Sequence, residues 1–182
     1  GDAGGSLGAA LAFWHHELNN KRNISAFKDG MSGSFLGPSY SNEQVKKSLN
    51  NLGAKYKQVE DDELINTVAH ELKNQKIIGW FQGRMEFGPR ALGCRSILAD
   101  PRSDTMQKDL NLKIKYRESF RPFAPSILRE NLHKWFELDC DSPYMQLVCD
   151  IKENKKIPMT KKDETLFGIE KLNIKRSSIP AV

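Results

Sequence analysis

The sequence predicts an α/β or α+β domain, and three observations support that class. Apolar residues recur at helical spacing in several stretches, and short apolar runs bounded by glycine alternate with them as buried strands do. No segment repeats internally, so one mixed structure is expected. The length, 182 residues, is that of one ordinary domain or of one and a piece. A chain of that size buries roughly 70% of its unfolded surface, enough for a core of its own.

In chain order, a glycine-rich opening runs into a helix on which Leu7, Leu11, Trp14 and Leu18 share a face. Residues 25–40 hold three glycines and a proline without periodicity, as a linker or irregular crossing would. Ser41 with Gln44 forms a capping box ahead of Val45, Leu49 and Leu52, and Gly53 stops that helix. Leu64, Val68 and Leu72 mark a second helix. The run IIGWFQ before Gly83 predicts a buried strand, and CRSILAD (94–100) a second one. Ser103 is expected to open a helix through Met106 and Leu110. PFAPSIL (122–128) and YMQLVCD (144–150) are further strand candidates.

Composition removes several classes. Hydrophobic residues are 38%, charged residues 28%, and mean hydropathy is −0.58. Aromatics at 9% are too many for a disordered chain. No apolar stretch approaches a membrane span, and no signal peptide opens the chain. Cys94, Cys140 and Cys149 are odd in number and lack metal-ligand spacing, which predicts reduced thiols and a cytoplasmic protein. The first residue is Gly1, so the chain is expected to be a piece of a longer protein.

The net charge of +5 is unevenly placed. Residues 1–83 balance to zero, whereas 84–129 carry ten basic against five acidic side chains. The tail from 151 is lysine-rich without interleaved aromatics and suits a solvated loop. The central block is arginine-rich and broken by Phe, Gly and Pro; arginine's planar fork suits phosphate or carboxylate. Bound anions are therefore expected there, either nucleic acid or a phosphorylated small molecule.

Two segments carry that expectation. GWFQGRMEFGPRALGCRSILADPR (79–102) joins a strand to a loop with glycines at 83, 88 and 93 and arginines at 84, 90 and 95. Glycines would let backbone approach a ligand while the arginines supply counter-charge. The competing possibility is that these arginines pair with Glu86, Asp100 and Asp104. LKIKYRESFRPFAP (112–125) alternates Lys113, Lys115 and Arg117 with Ile114 and Tyr116. An extended chain would place those cations on one face, with Arg121 following before Pro122. They would form a triphosphate or acyl-phosphate clamp, or merely a lysine-rich edge strand. No P-loop fingerprint is present.

FGPRALGCRSIL followed by KYRESFRPFAP, with GDAGGSLGAAL at the start, closely resembles the NodU/CmcH-type O-carbamoyltransferases. The resemblance covers nearly the whole chain. It implies the tail of an ASKHA-type domain at 1–24, a linker at 25–40, and a truncated YrdC-like domain, a mixed twisted sheet flanked by helices, at 41–182. It further implies ATP and carbamoyl phosphate as substrates, carbamoyl-adenylate as intermediate, and transfer of the carbamoyl group to a hydroxyl. Arg90, Lys115, Arg117 and Arg121 resemble the family's anion-binding side chains, with Arg84 and Arg95 as further members. No residue is assigned as nucleophile or base. Asp2 resembles a ligand of a divalent metal (Mg or Fe), its histidine partners lying upstream; His15 and His16 do not replace them. The expected partners are the small-molecule substrates and a missing N-terminal domain of the same chain, with no membrane and no nucleic acid. Two other readings are a threonylcarbamoyl-adenylate-type synthase for tRNA modification and a basic nucleic-acid-binding module. GDAGGSLGAAL argues against the first; the second lacks an aromatic stacking platform beyond Tyr116 and Phe120.

Overall fold

A computed structural model describes residues 4–23 and 29–182. The architecture is α+β, as expected: short helices with a two-stranded sheet. The chain separates into two compact units interleaved in sequence. The first takes its described residues from Gly1–Gln58 and Trp80–Ser96; the second is Val59–Gly79 with Ile97–Val182.

In the first unit, helix α1 (Gly5–Ala12) follows Gly4 and runs on into a π-helical turn, Phe13–Glu17. Leu7 and Leu11 lie on α1, but the π-helical turn takes over before Trp14, and Leu7, Leu11, Trp14 and Leu18 are all exposed. Helix α2 (Asn42–Asn51) begins as predicted. The Gln44 N–H donates to Ser41 Oγ at 3.3 Å, and the Ser41 N–H donates to Gln44 Oε1 at 2.8 Å. Between these helices, residues 34–38 run beside 85–87. The Gly37 N–H donates to the Met85 carbonyl at 3.0 Å, Met85 N–H to Pro38, and Phe87 N–H to Ser34. A Cβ on Gly37 would come within 2.9 Å of the Met85 carbonyl oxygen, so the close approach requires glycine here.

In the second unit, helix α3 (Asp61–Lys73) carries Asp61, Asp62 and Glu63 in its first turn and His70 and Lys73 in its last, which suits its dipole. Strands β1 (Ile78–Phe81) and β2 (Arg95–Leu98), each with residues in both units, pair antiparallel, and the Gln82 N–H extends the ladder to the Cys94 carbonyl. Helix α4 (Met106–Asp109) continues as a π-helical turn, Leu110–Ile114. Met106 and Leu110, four apart and on one face, form the core with Ala181; Ile77, Ala99 and Phe123 pack against it. The chain then passes through α5 (Leu132–Trp135), α6 (Lys161–Glu164) and α7 (Gly168–Leu172). Single antiparallel bridges link Phe136 to Ile151 and Lys156 to Ser177.

Three local expectations are corrected. Thr105, not Ser103, precedes the helix; the Ser103 hydroxyl instead donates to Gln75 Oε1 at 3.1 Å. Residues 122–128 and 144–150 form no strand. Pro122 and Pro125 remove ladder donors from the first, and Met145 takes a left-handed φ of 54° in the second. Lys113, Lys115 and Arg117 do not alternate along an extended chain, because 110–114 is helical and Tyr116 reverses the backbone with φ 49°.

Candidate functional site

The six cations expected to bind anions fall into two groups. Arg84, Arg90 and Arg95 lie in the first unit, and Lys115, Arg117 and Arg121 in the second. Asp2 lies outside the described residues.

The first group sits on the loop joining β1 to β2. Gly88 and Gly93 have φ of 136° and 119°, where a side chain is strained, and let the loop fold over Glu86. Glu86 is 3% exposed. Its Oε1 accepts the Leu92 N–H at 2.6 Å and the Cys94 N–H at 2.8 Å; its Oε2 accepts Arg95 Nε at 3.2 Å. Arg95 Nη2 donates onward to the carbonyls of Gly88 and Arg90. The main-chain amides that a glycine loop would offer a ligand are thus turned inward onto the protein's own carboxylate. Burial pushes the Glu86 carboxyl up. The N–H groups of Cys94, Glu86 and Leu92, together with the Arg95 guanidinium, outweigh burial and hold it below the usual range. Burial first, and then the Glu86 charge, push the Cys94 thiol up, as suits a structural thiol rather than a nucleophile.

Of the three counter-charges considered for this loop, only Glu86 serves it. Asp100 pairs with Arg102 at 2.5 Å and Asp104 with Lys175 at 2.7 Å. Arg95 is committed to shaping the loop. Arg84 is exposed, with Nε donating to the Gly37 carbonyl at 2.7 Å. Arg90 is exposed on the bend between Gly88 and Gly93.

The second group sits where the π-helical turn ends. The Lys115 N–H donates to the Leu110 carbonyl at 2.9 Å and the Arg117 N–H to the Asn111 carbonyl at 3.0 Å. Tyr116 between them adopts the left-handed conformation that closes helices. Arg117 donates from Nε to Asn111 Oδ1 at 2.6 Å, and its guanidinium lies over the Phe123 ring at 5.1 Å. Arg121 pairs with Glu118 at 2.9 Å, both half-exposed. Its own N–H and the charge of Arg121 hold the Glu118 carboxyl below the ordinary range. Lys115 is exposed, and its ammonium has no partner among the described residues. The turn thus brings Lys115, Arg117 and Arg121 onto one short loop, although not as one face of a strand.

Asn111 is the residue that sequence reasoning missed. It is fully buried, and no periodic signal marks it. Among the described residues, no group of three His, Cys, Asp or Glu side chains could hold a metal ion. His15 contacts the Asn20 carbonyl through Nδ1 at 2.8 Å. All three cysteines are free thiols. No described helix is long and apolar enough to cross a membrane. What both loops offer is directed positive charge, suited to binding and neutralising anions.

Residues 69–182 match the sequence model of the family described as Carbamoyltransferase C-terminus. A Synechocystis protein described as uncharacterized is 55% identical over 184 positions, covering all of this chain and 30% of that protein. Nodulation protein NolNO of Sinorhizobium fredii is 39% identical, over 85% of this chain and 23% of its own length. The 3′-hydroxymethylcephem-O-carbamoyltransferase of Amycolatopsis lactamdurans is 41% identical, over 53% of this chain and 18% of its own length. The chain spans less than a third of each of these three relatives.

Proposed function

Because the chain belongs to the carbamoyltransferase C-terminus family, we propose that it serves an O-carbamoyltransferase using ATP and carbamoyl phosphate. The carbamoyl group passes through carbamoyl-adenylate to a substrate hydroxyl. The observation that carries this reading is the family match over 69–182, a span that contains both cation-bearing loops. A relative named for O-carbamoyl transfer to a hydroxymethyl group supports the acceptor chemistry.

The atoms balance with one water. Water releases inorganic phosphate from carbamoyl phosphate and leaves carbamate. A carbamate oxygen attacks the α-phosphorus of ATP, and pyrophosphate leaves. The acceptor hydroxyl then attacks the carbamoyl carbon, AMP leaves, and the hydroxyl proton is lost. Each step before the transfer gathers negative charge, and fixed cations stabilise it without proton transfer. Arg84 and Arg90 on one loop, and Lys115, Arg117 and Arg121 on the other, are proposed to meet phosphate or carbamoyl oxygens. Arg95 is proposed to act through the shape of its loop. A divalent metal with Asp2 among its ligands belongs to the same proposal.

The test is pyrophosphate release from ATP and carbamoyl phosphate by the full-length protein. Arg90→Ala is expected to abolish it while leaving the protein folded, as judged by circular dichroism. Lys115→Ala is expected to abolish it too, and synthetic carbamoyl-adenylate should restore carbamoylated product. Near-normal pyrophosphate release in both variants would sink the reading.

A further inference from the structure

Asn111 is 0% exposed, yet every polar atom of its side chain is engaged with the cation-bearing turn. Its Nδ2 donates to the Ser119 carbonyl at 3.1 Å and to the Arg121 carbonyl at 2.9 Å. Its Oδ1 accepts Arg117 Nε at 2.6 Å, and its main-chain carbonyl accepts the Arg117 N–H at 3.0 Å. One amide therefore fixes the Arg117 guanidinium and the backbone that carries Arg121, from a position next to the core residue Leu110. Left-handed backbone at a residue such as Tyr116 persists only where its surroundings over-determine it, and these four bonds do so. A buried amide would not be needed merely to fill space beside Met106 and Leu110, where an apolar side chain would serve.

We infer that Asn111 is a positioning residue for anion binding: it aims Arg117 and sets the path of the chain to Arg121. This rests on the reading that the 115–121 turn meets phosphate or carbamoyl oxygens. The amide itself touches no substrate. Its effect is exerted through a guanidinium held on two sides, by Asn111 at Nε and by the Phe123 ring across its face, so that its remaining N–H groups point in one fixed direction.

The experiment measures pyrophosphate release by the full-length protein, per folded molecule, for Asn111→Ala, Arg117→Met and the double variant. Asn111→Ala is expected to lower kcat/KM by about 10- to 100-fold, the range of one hydrogen bond to a charged group. In the Arg117→Met background the same substitution should cost no more than about threefold further, since most of its effect passes through Arg117. A merely structural asparagine would lower the melting temperature, leave kcat/KM per folded molecule within about twofold, and give losses that multiply. Either of those kinetic results overturns the inference. If Asn111→Ala does not fold, Arg117→Lys decides. A lysine keeps the charge but not the Nε donor, so it should be as inactive as Arg117→Met; activity within about threefold of wild type would show that charge suffices without aiming. Lys115→Ala and Arg121→Ala are run in parallel. Unchanged release in both defeats the anion-binding reading itself. Loss in both, with Asn111→Ala unaffected, defeats only the role of Asn111.

Discussion

The 83–95 loop closes around a carboxylate, and the 110–121 turn closes around an amide. Glu86 gathers two main-chain N–H groups and one guanidinium, and in doing so commits Arg95. Asn111 gathers two carbonyls with its Nδ2 and the Arg117 guanidinium with its Oδ1, and its main-chain carbonyl takes the Arg117 N–H. A charged lock needs a counter-charge and responds to acid; a neutral lock needs neither. The two solutions hold cations at the protein surface by different physics, and they should fail differently.

The largest effect is expected at the charged lock. Glu86→Ala strands two partly buried N–H groups and leaves the Arg95 Nε without its carboxylate. Three hydrogen bonds to a charged group are lost at once, each contributing about 1.5–3 kcal/mol. Urea denaturation should show a loss of that order, and amide hydrogen exchange at Leu92 and Cys94 should lose its protection first. Glu86→Gln keeps one carbonyl acceptor and is expected to cost less, about 1–3 kcal/mol. Equal losses for the two variants would mean that the charge, rather than the N–H groups, dominates.

The neutral lock comes next. Asn111→Leu fills the volume with an apolar side chain but leaves the Ser119 and Arg121 carbonyls without the amide, at a cost of about 1–3 kcal/mol. Exchange protection should fall at Arg117, whose N–H closes the turn, and stay unchanged at Leu92 and Cys94. Deprotection of both loops together would contradict the independence of the two locks.

These locks also mark where the sequence was legible and where it was not. Ser41 with Gln44, the Leu64–Val68–Leu72 spacing and the two strands were readable because their partners lie within a turn or a short apolar run. Glu86 was readable as a counter-charge for nearby arginines, but its capture of main-chain N–H groups six and eight residues on was not. Asn111 was invisible. Its contacts reach residues 117, 119 and 121 across a chain reversal, while the Lys-Ile-Lys-Tyr-Arg alternation imitates a strand. Periodicity registers neighbours on one element and carries no trace of a side chain that ties together the end of a helix.

Acid separates the locks by a smaller amount. The Glu86 carboxyl is held below its ordinary range when folded, so its contribution is complete above about pH 4.3, the unfolded value, and is lost as pH falls through the lower folded value. A protonated carboxyl can still accept from the Leu92 and Cys94 N–H groups, so the loss should be less than that of Glu86→Ala. Exchange protection at Leu92 and Cys94, corrected for the intrinsic pH dependence of exchange, should therefore weaken below that range. The Arg117 N–H should show no step from its own lock, since Asn111 does not titrate. An acid step of equal size at Arg117 would assign the turn's stability to the exposed Glu118–Arg121 pair instead.

The smallest effect is a gain, and it tests whether the turn around Asn111 is under strain. Tyr116 has φ 49° and is 86% exposed, so its ring loses little packing if removed. Left-handed backbone costs a residue with a Cβ roughly 1–2 kcal/mol, whereas glycine adopts it freely. Glycine also adds unfolded-state freedom worth about 0.5–1 kcal/mol, which offsets part of that gain. Tyr116→Gly should therefore stabilise by about 0.5–1 kcal/mol, or roughly 1–4 °C in the melting transition of a chain of 182 residues. Tyr116→Ala removes the same ring without relieving the backbone and should give no such gain. If the two variants melt together, the left-handed turn costs nothing and Asn111 has no strain to oppose. If glycine alone stabilises, Tyr116→Gly should also reduce the cost of Asn111→Leu, because the amide would then be holding a conformation that the backbone already favours.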